Sequence, residues 1–199
     1  MADEKKPQLT HAERIFVRIS ALQTVLAVAG VFTGSVALYA ALNEADAVRK
    51  QQQAAVWPYV GIGSMDLDLE TGAEIFQRVA LNSGIGPARI AAFRVTVDGA
   101  SQKTWKEAVA ALTGDRNIPV VTGSISGRVI RPGEMIEMVT VRGDAAAAIN
   151  SAHSRLRVEA CYCSVFDSCW LVDTSRRDAI FEPEPVRRCP DYGAEQFTQ

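Results

Sequence analysis

The chain of 199 residues is poor in histidine and contains only His11 and His153. Catalytic triads and many zinc sites need histidine as a base or as a ligand. Nothing in the sequence pairs His153 with a nucleophile and an acid. Its place at the end of a predicted helix favours an interaction with the helix dipole instead. The sequence therefore indicates no histidine-based site.

Nucleotide loops and nucleophile elbows are also absent. In NSGIGPA, residues 82–88, Arg89 follows at the place of the third glycine of G-x-G-x-x-G, and Pro87 lacks an amide proton. In GSISG, residues 123–127, Ile125 stands where a nucleophile elbow needs serine. Both stretches are interpreted as loops between strands, and no cofactor is predicted.

A concentrated basic region is missing as well. Four of the 21 basic and three of the 23 acidic residues precede residue 43, which leaves 17 and 20 in the remainder. Nucleic acids and anionic lipid surfaces bind clustered positive charge. The balance argues against nucleic acid as the main partner.

One long apolar run is present. Residues 19–42, ISALQTVLAVAGVFTGSVALYAAL, contain no charged side chain. A helix rising 1.5 Å per residue would cross a hydrocarbon core of about 30 Å over this length. The run predicts a transmembrane helix in contact with the lipid bilayer. A cleaved signal peptide is the alternative, but its apolar part spans only about 7–15 residues, and the nearest Ala-x-Ala lies beyond the run.

Basic residues flank this run unequally. Four precede it and two follow it, namely Lys5, Lys6, Arg14, Arg18, Arg49 and Lys50. Because cytoplasmic flanks carry the excess of Lys and Arg, residues 1–18 are predicted to be a cytoplasmic tail. The remainder would be periplasmic, on a single-pass protein of the bacterial inner membrane. Residues 43–56 predict a helical stalk that ends before Pro58.

The predicted span carries small residues on nearby turns: Gly30, Gly34, Ala37 and Ala41. Small side chains let two membrane helices approach closely. They define a possible helix-dimer face and hence a homodimer hypothesis, although small residues are common in membrane spans without dimerisation.

From residue 57 to residue 175 the apolar pattern has a period of two. Met65, Leu67 and Leu69 alternate with Asp66, Asp68 and Glu70, which predicts a strand whose apolar side is buried. A strand over 74–82 is predicted from Ile75, Val79 and Leu81. Further strands are expected at about 88–98, 125–130, 135–142, 155–165 and 169–174. Seven short strands separated by turns are typical of an antiparallel sandwich in a mainly β fold.

Two helical insertions and one tight turn interrupt the strands. Thr104-x-x-Glu107 has the form of a capping box, and that helix is expected to stop at Gly114. A second helix is predicted from Asp144. RPGE, residues 131–134, fits a type II turn. Residues 176–199 are polar and predicted to be an irregular tail.

NSGIGPA and RPGE together resemble the Asn-x-Gly, Pro-Ala and Pro-Gly-Glu pattern of immunoglobulin-like sandwich repeats on bacterial surfaces. With the single span and the QQQAAVWPY stalk, the chain resembles a loose group of uncharacterised bacterial membrane-anchored proteins. The resemblance covers about residues 50–175. It implies an immunoglobulin-like β-sandwich outside the cytoplasm and no catalytic residue.

All four cysteines lie on the same side of the predicted span. A zinc site would favour paired Cys-x2-4-Cys knuckles, and a redox site a Cys-x-x-Cys helix, and neither spacing occurs here. Cys161 and Cys163 are two residues apart on a predicted strand and therefore point to the same face. A hairpin loop would place Cys163 opposite Cys169, which leaves Cys161 for Cys189. Disulfides at these four positions also agree with an oxidising compartment.

The leading functional hypothesis is a non-enzymatic, membrane-tethered module outside the cytoplasm that binds another envelope protein or has a structural role. The alternative is an envelope enzyme, hydrolase-like, with a site built from Asp66, Asp68 and Glu70. These acids alternate with apolar residues, so a solvated strand face also accounts for them.

Overall fold

The computed structural model describes residues 10–176 and 183–199. It begins with one continuous helix, α1 (His11–Ala55), which covers both the predicted span and the predicted stalk. Lys50 Nζ lies 2.8 Å from Asp46 of the same helix. None of the helical side chains is buried, and the helix is long and apolar enough to be a candidate membrane span. Backbone contacts divide the chain into two units, and the second, Gln52–Gln199, is called the β domain below.

Among the described residues, the β domain has ten strands and two α-helices. The strands are β1 (Val60–Leu67), β2 (Glu74–Asn82), β3 (Ala88–Val97), β4 (Ala100–Gln102), β5 (Val121–Thr122), β6 (Val129–Ile130), β7 (Met135–Arg142), β8 (Leu156–Cys163), β9 (Cys169–Asp173) and β10 (Glu184–Val186). The helices are α2 (Trp105–Thr113) and α3 (Asp144–Ser151). The chain is therefore mainly β with helices, as its alternating apolar pattern predicts.

The strands form two antiparallel sheets. One has the order β1-β2-β7-β5, and the other has the order β10-β9-β8-β3-β4, with β6 also paired to β3. Apolar side chains of both sheets share one core, which includes Phe76 from β2, Phe93 from β3 and Val158 from β8. The two sheets are thus held together by burial of apolar surface.

Helix α2 begins and ends where its sequence predicts, and α3 begins at Asp144 as predicted and ends at Ser151. Thr104 Oγ1 accepts the Glu107 N–H at 3.2 Å, and Gly114 closes α2 with φ +78°. The side chains of Trp105 and Val109 on α2 are fully buried, and so is that of Ile149 on α3. The predicted capping box and glycine stop of α2 are therefore confirmed.

NSGIGPA and RPGE meet around one buried side chain, Asn82. Its Oδ1 accepts the N–H groups of Tyr59 (3.1 Å) and Gly84 (3.0 Å), and its Nδ2 donates to the carbonyl oxygens of Gly86 (2.8 Å) and Ile130 (3.0 Å). Its backbone carbonyl accepts the Gly133 N–H at 2.8 Å. The side-chain amide joins β2 to the residue before β1, to the loop after β2 and to β6, so these motifs act as structural junctions.

Gly86 is required by its surroundings, because a Cβ there would lie 1.8 Å from the Val56 carbonyl oxygen. The predicted RPGE turn is confirmed: Gly133 has φ +73°, and the Glu134 N–H donates to the Arg131 carbonyl at 3.0 Å.

The predicted burial of Met65, Leu67 and Leu69 is wrong. These residues are 39%, 52% and 92% exposed, whereas Val60 and Ile62 at the start of β1 enter the core. The cause is position: within the described residues β1 is an edge strand with β2 as its one neighbour, and the core ends before the strand does. The alternating pattern here leaves an apolar surface in contact with solvent.

The described part of residues 176–199 is more ordered than an irregular tail. It includes β10, which pairs with β9, and it places Phe197 entirely within the core. The Phe197 ring lies 5.4 Å from the ring of Phe93 and 5.3 Å from that of Trp105, both edge to face. This segment therefore fills the core in addition to joining the disulfides.

Candidate functional site

The four cysteines form two disulfides on β8 and its neighbours. Cys161 is bonded to Cys189 and Cys163 to Cys169, each with sulfurs 2.05 Å apart. Cys163 and Cys169 are opposite residues of the β8–β9 pair. These are the partners that the strand alternation and the hairpin predict. The bonds lie in a cluster of their own, separate from the main core.

Three of these sulfurs, from Cys163, Cys169 and Cys189, lie within 4.8 Å of one another. In the described parts of the chain this is the one group of three or more Cys, His, Asp or Glu side chains close enough to share a metal ion. Thiolate is the form of cysteine that binds metals, and a disulfide has none to offer. With both bonds closed, the cluster acts as a pair of crosslinks.

A ladder of charges lies beside the disulfides on β3, β8 and β9. Arg94 Nε donates to Glu159 at 2.6 Å, and Arg157 Nη2 bridges Glu159 at 2.8 Å and Asp173 at 2.7 Å. Burial works against ionisation of Asp173, but hydrogen bonds from Ser175 and Arg157 outweigh it and hold its pKa below the usual range. The ladder is thus a balanced network in which each buried acid has a partner.

Residues 192–195 complete this ladder. The Arg94 guanidinium lies 4.4 Å from the centre of the Tyr192 ring, and its Nη1 donates to Glu195 at 2.9 Å. Burial, reinforced by the Glu159 charge, raises the pKa of Tyr192 to about 12. Tyr192 is therefore neutral at physiological pH, and the ladder fastens the segment after Cys189 onto the sheet.

The three acids of the alternative enzyme hypothesis lie at the end of β1 and in the turn that follows. Asp68 accepts Arg142 at 2.8 Å and the backbone N–H groups of Glu70 and Thr71, which lowers its pKa to about 2. Asp66 lies 4.0 Å from Arg78 and is largely exposed, as is Glu70. Asp68 therefore stabilises the turn between β1 and β2.

His153 and the small residues of α1 occupy exposed positions. His153 Nδ1 lies 2.8 Å from the Asn150 carbonyl oxygen, in a short 3-10 turn after α3. The helix positions Gly30, Gly34, Ala37 and Ala41 are exposed, and a Cβ at either glycine would meet nothing within 4 Å. Close approach of a second helix remains a prediction from these small residues.

In the described part of the β domain, two cavities are present that the sequence does not indicate. One, of about 770 Å³, lies against α2 and is lined by Lys106, Glu107, Arg116 and Asn117 among others. The second, of about 160 Å³, is lined by Arg78. Arg78 lies on the same side of β2 as Phe76 and Ala80, and this spacing could have placed it among buried residues. However, Ile75 and Val79 on the other side of β2 are buried too. Alternation alone cannot identify the core side of such a strand.

No family profile, curated protein or solved structure matches this chain. Its candidate sites are therefore assigned by geometry: a pair of crosslinks, a charge ladder, an exposed apolar edge on β1 and two cavities.

Proposed function

We propose that the chain is a single-pass inner-membrane protein whose β domain lies in the periplasm and binds another envelope protein without catalysing a reaction. The observation that carries the proposal is the candidate span followed by a domain with two disulfides. Disulfides persist in oxidising compartments. The excess of Lys and Arg before the span supports a cytoplasmic N-terminal side.

We propose further that the β domain is an immunoglobulin-like sandwich. Lettered in chain order as A, B, C, D, E, F and G, strands β1, β2, β3, β5, β7, β8 and β9 give the sheets A-B-E-D and G-F-C. This is the strand order of the constant-type immunoglobulin fold. Short β4, β6 and β10 and the two helices are additions to that frame. Domains of this architecture commonly present strands and loops to other proteins.

The surface best suited to a protein partner is the exposed end of β1 with the first two residues of the turn that follows, here called the β1 edge and made of residues 65–69. An edge strand has backbone N–H and C=O groups without a strand partner on one side. Met65, Leu67 and Leu69 add exposed apolar side chains, which protein interfaces bury at their centre. A partner would cover apolar area and complete the backbone hydrogen bonds together.

Site-specific photocrosslinking tests this function. A benzophenone amino acid at Leu67 or Leu69 of the full chain, in living cells, is expected to give a discrete crosslinked product with another envelope protein. The matched control is Lys106, which is exposed on α2, a helix that contacts α3, β3 and β4. Equal products from all three positions, or none from the β1 edge, would contradict the assigned surface.

The orientation has its own test. A site-specific protease sequence inserted between Gln53 and Ala54 is expected to be cut when the protease is added outside spheroplasts, because the stalk would lie in the periplasm. The same sequence placed before residue 10 should be cut only after lysis. The reverse pattern would refute the orientation, and a mature N-terminus near residue 48 would establish signal cleavage instead.

A further inference from the structure

The smaller cavity lies where β1 and β2 face β8. Its volume is about 160 Å³, and Ile62, Leu156 and Val158 form its apolar walls. A water molecule takes up about 30 Å³ in the liquid, so the space admits a small organic molecule of a few heavy atoms. Its polar lining consists of Ser64, Arg78, His153 and Thr174.

Arg78 is the charged group of this cavity. Its side chain is only 11% exposed, and its guanidinium carbon lies 4.6 Å from the centre of the Phe76 ring. An arginine has five N–H donors. One of them donates to the Gln77 carbonyl oxygen at 3.3 Å. The guanidinium makes no other hydrogen bond to residues 10–176 or 183–199.

Among the described residues, the carboxylate paired with this cation is that of Asp66, and it does not neutralise the cation well. Asp66 Oδ1 lies 4.0 Å from Arg78 Nη1, which is beyond hydrogen-bond distance, and its side chain is 66% exposed. Burial lowers the pKa of Arg78, and the Asp66 charge offsets only part of that effect. A buried cation without a hydrogen-bonded counter-ion is unfavourable, and a bound anion would relieve it.

Two hydroxyl groups and a histidine accompany the guanidinium. Thr174 Oγ1 accepts the Val158 N–H at 2.9 Å, which leaves its hydroxyl proton available for another acceptor. Ser64 is exposed and makes no hydrogen bond through its hydroxyl to the described residues. The contact between Nδ1 and the Asn150 carbonyl places a proton on that nitrogen of His153, because a carbonyl oxygen can only accept.

We propose that this cavity binds the carboxylate group of a small free molecule, with Arg78 as its cationic partner and the hydroxyls of Ser64 and Thr174 as further donors. The planar guanidinium fork matches the two oxygens of a carboxylate. Asp66 lies close enough to repel a dianion more strongly than a monoanion, so a monocarboxylate fits better than phosphate. The site borders the β1 edge at Asp66 but uses none of its apolar side chains, and it does not depend on the proposed function.

Titration of the full chain in detergent with acetate tests the proposal, with chloride at equal ionic strength as the reference. The expected result is saturable binding, observed by NMR of labelled acetate, that Arg78→Gln weakens about tenfold or more, as loss of a charged hydrogen-bond partner does. The matched control is Arg142→Gln. Arg142 is exposed, lies on β7 in the same sheet as Arg78 and pairs with Asp68, so its loss should leave the affinity for acetate unchanged.

Ser64→Ala keeps the buried cation and is expected to weaken acetate binding severalfold, so the test does not depend on the folding of the Arg78 variant. Absence of saturable acetate binding would overturn the proposal. An affinity unchanged by Arg78→Gln and Ser64→Ala, or tighter binding of inorganic phosphate than of acetate, would overturn it as well.

Discussion

Replacing Phe197 with alanine is expected to lower the free energy of unfolding of the β domain by about 3–5 kcal/mol, as loss of a buried aromatic side chain typically does. The Phe197 ring is wholly buried and touches the rings of Phe93 and Trp105 edge to face. Its removal leaves a cavity between two sequence-distant parts of the core. Since domains are stable by only about 5–15 kcal/mol, this is a large share of the total.

Thermal unfolding of the full chain in detergent would measure this effect through tryptophan fluorescence. The three tryptophans, Trp57, Trp105 and Trp170, all belong to the β domain, so the signal does not report on α1. The expected decrease in Tm is about 8–15 °C. Phe166→Ala, in the partly exposed loop between β8 and β9, is the matched control and should change Tm little. Equal effects of the two variants would show that Phe197 does not fill the core.

Removal of the Cys161–Cys189 bond is expected to cost about 3–4 kcal/mol by the loop-entropy estimate, because the bond spans 28 residues. The Cys163–Cys169 bond spans only six and should contribute less, about 2 kcal/mol. Both cysteines of a pair must be replaced by serine. Cys163 Sγ lies 3.6 Å from Cys189 Sγ, and a single free thiol there could exchange with the other bond.

Denaturant unfolding of the two double-serine variants gives the comparison. Mass spectrometry of unreduced peptides from the unaltered chain should first show both bonds and no free thiol. A stoichiometric zinc ion or four free thiols would refute the crosslinks. If removal of the Cys163–Cys169 bond lowered the free energy of unfolding more than removal of the Cys161–Cys189 bond, strain or packing rather than loop length would determine the contribution of each bond.

Features set by local spacing could be predicted from the sequence. Cys161 and Cys163 share a face because a strand has a period of two, and the short hairpin loop brings Cys169 opposite Cys163. The cap at Thr104 and the turn at Gly133 also depend only on neighbouring residues. Each of these requires a few dihedral angles and no distant partner.

Features that depend on distant partners could not be predicted. Phe197 is flanked by the polar residues Gln196 and Thr198, so no periodicity indicates that the core includes it. Arg78 lies on a strand with both faces buried, where alternation does not distinguish them. The exposure of Leu67 and Leu69 follows from where the core ends, which is a property of the assembled sheets.

The position of Phe197 in the chain determines when the core can be completed during synthesis. Ribosomes add about 5–20 residues per second, so about 5–20 s separate Phe93 from the ring that packs on it. In that interval the aromatic surfaces of Phe93 and Trp105 lack their third member and are accessible to chaperones and proteases. A slower arrival of Phe197, or a smaller side chain in its place, would therefore reduce the amount of protein in the cell before it altered any binding property of the finished domain.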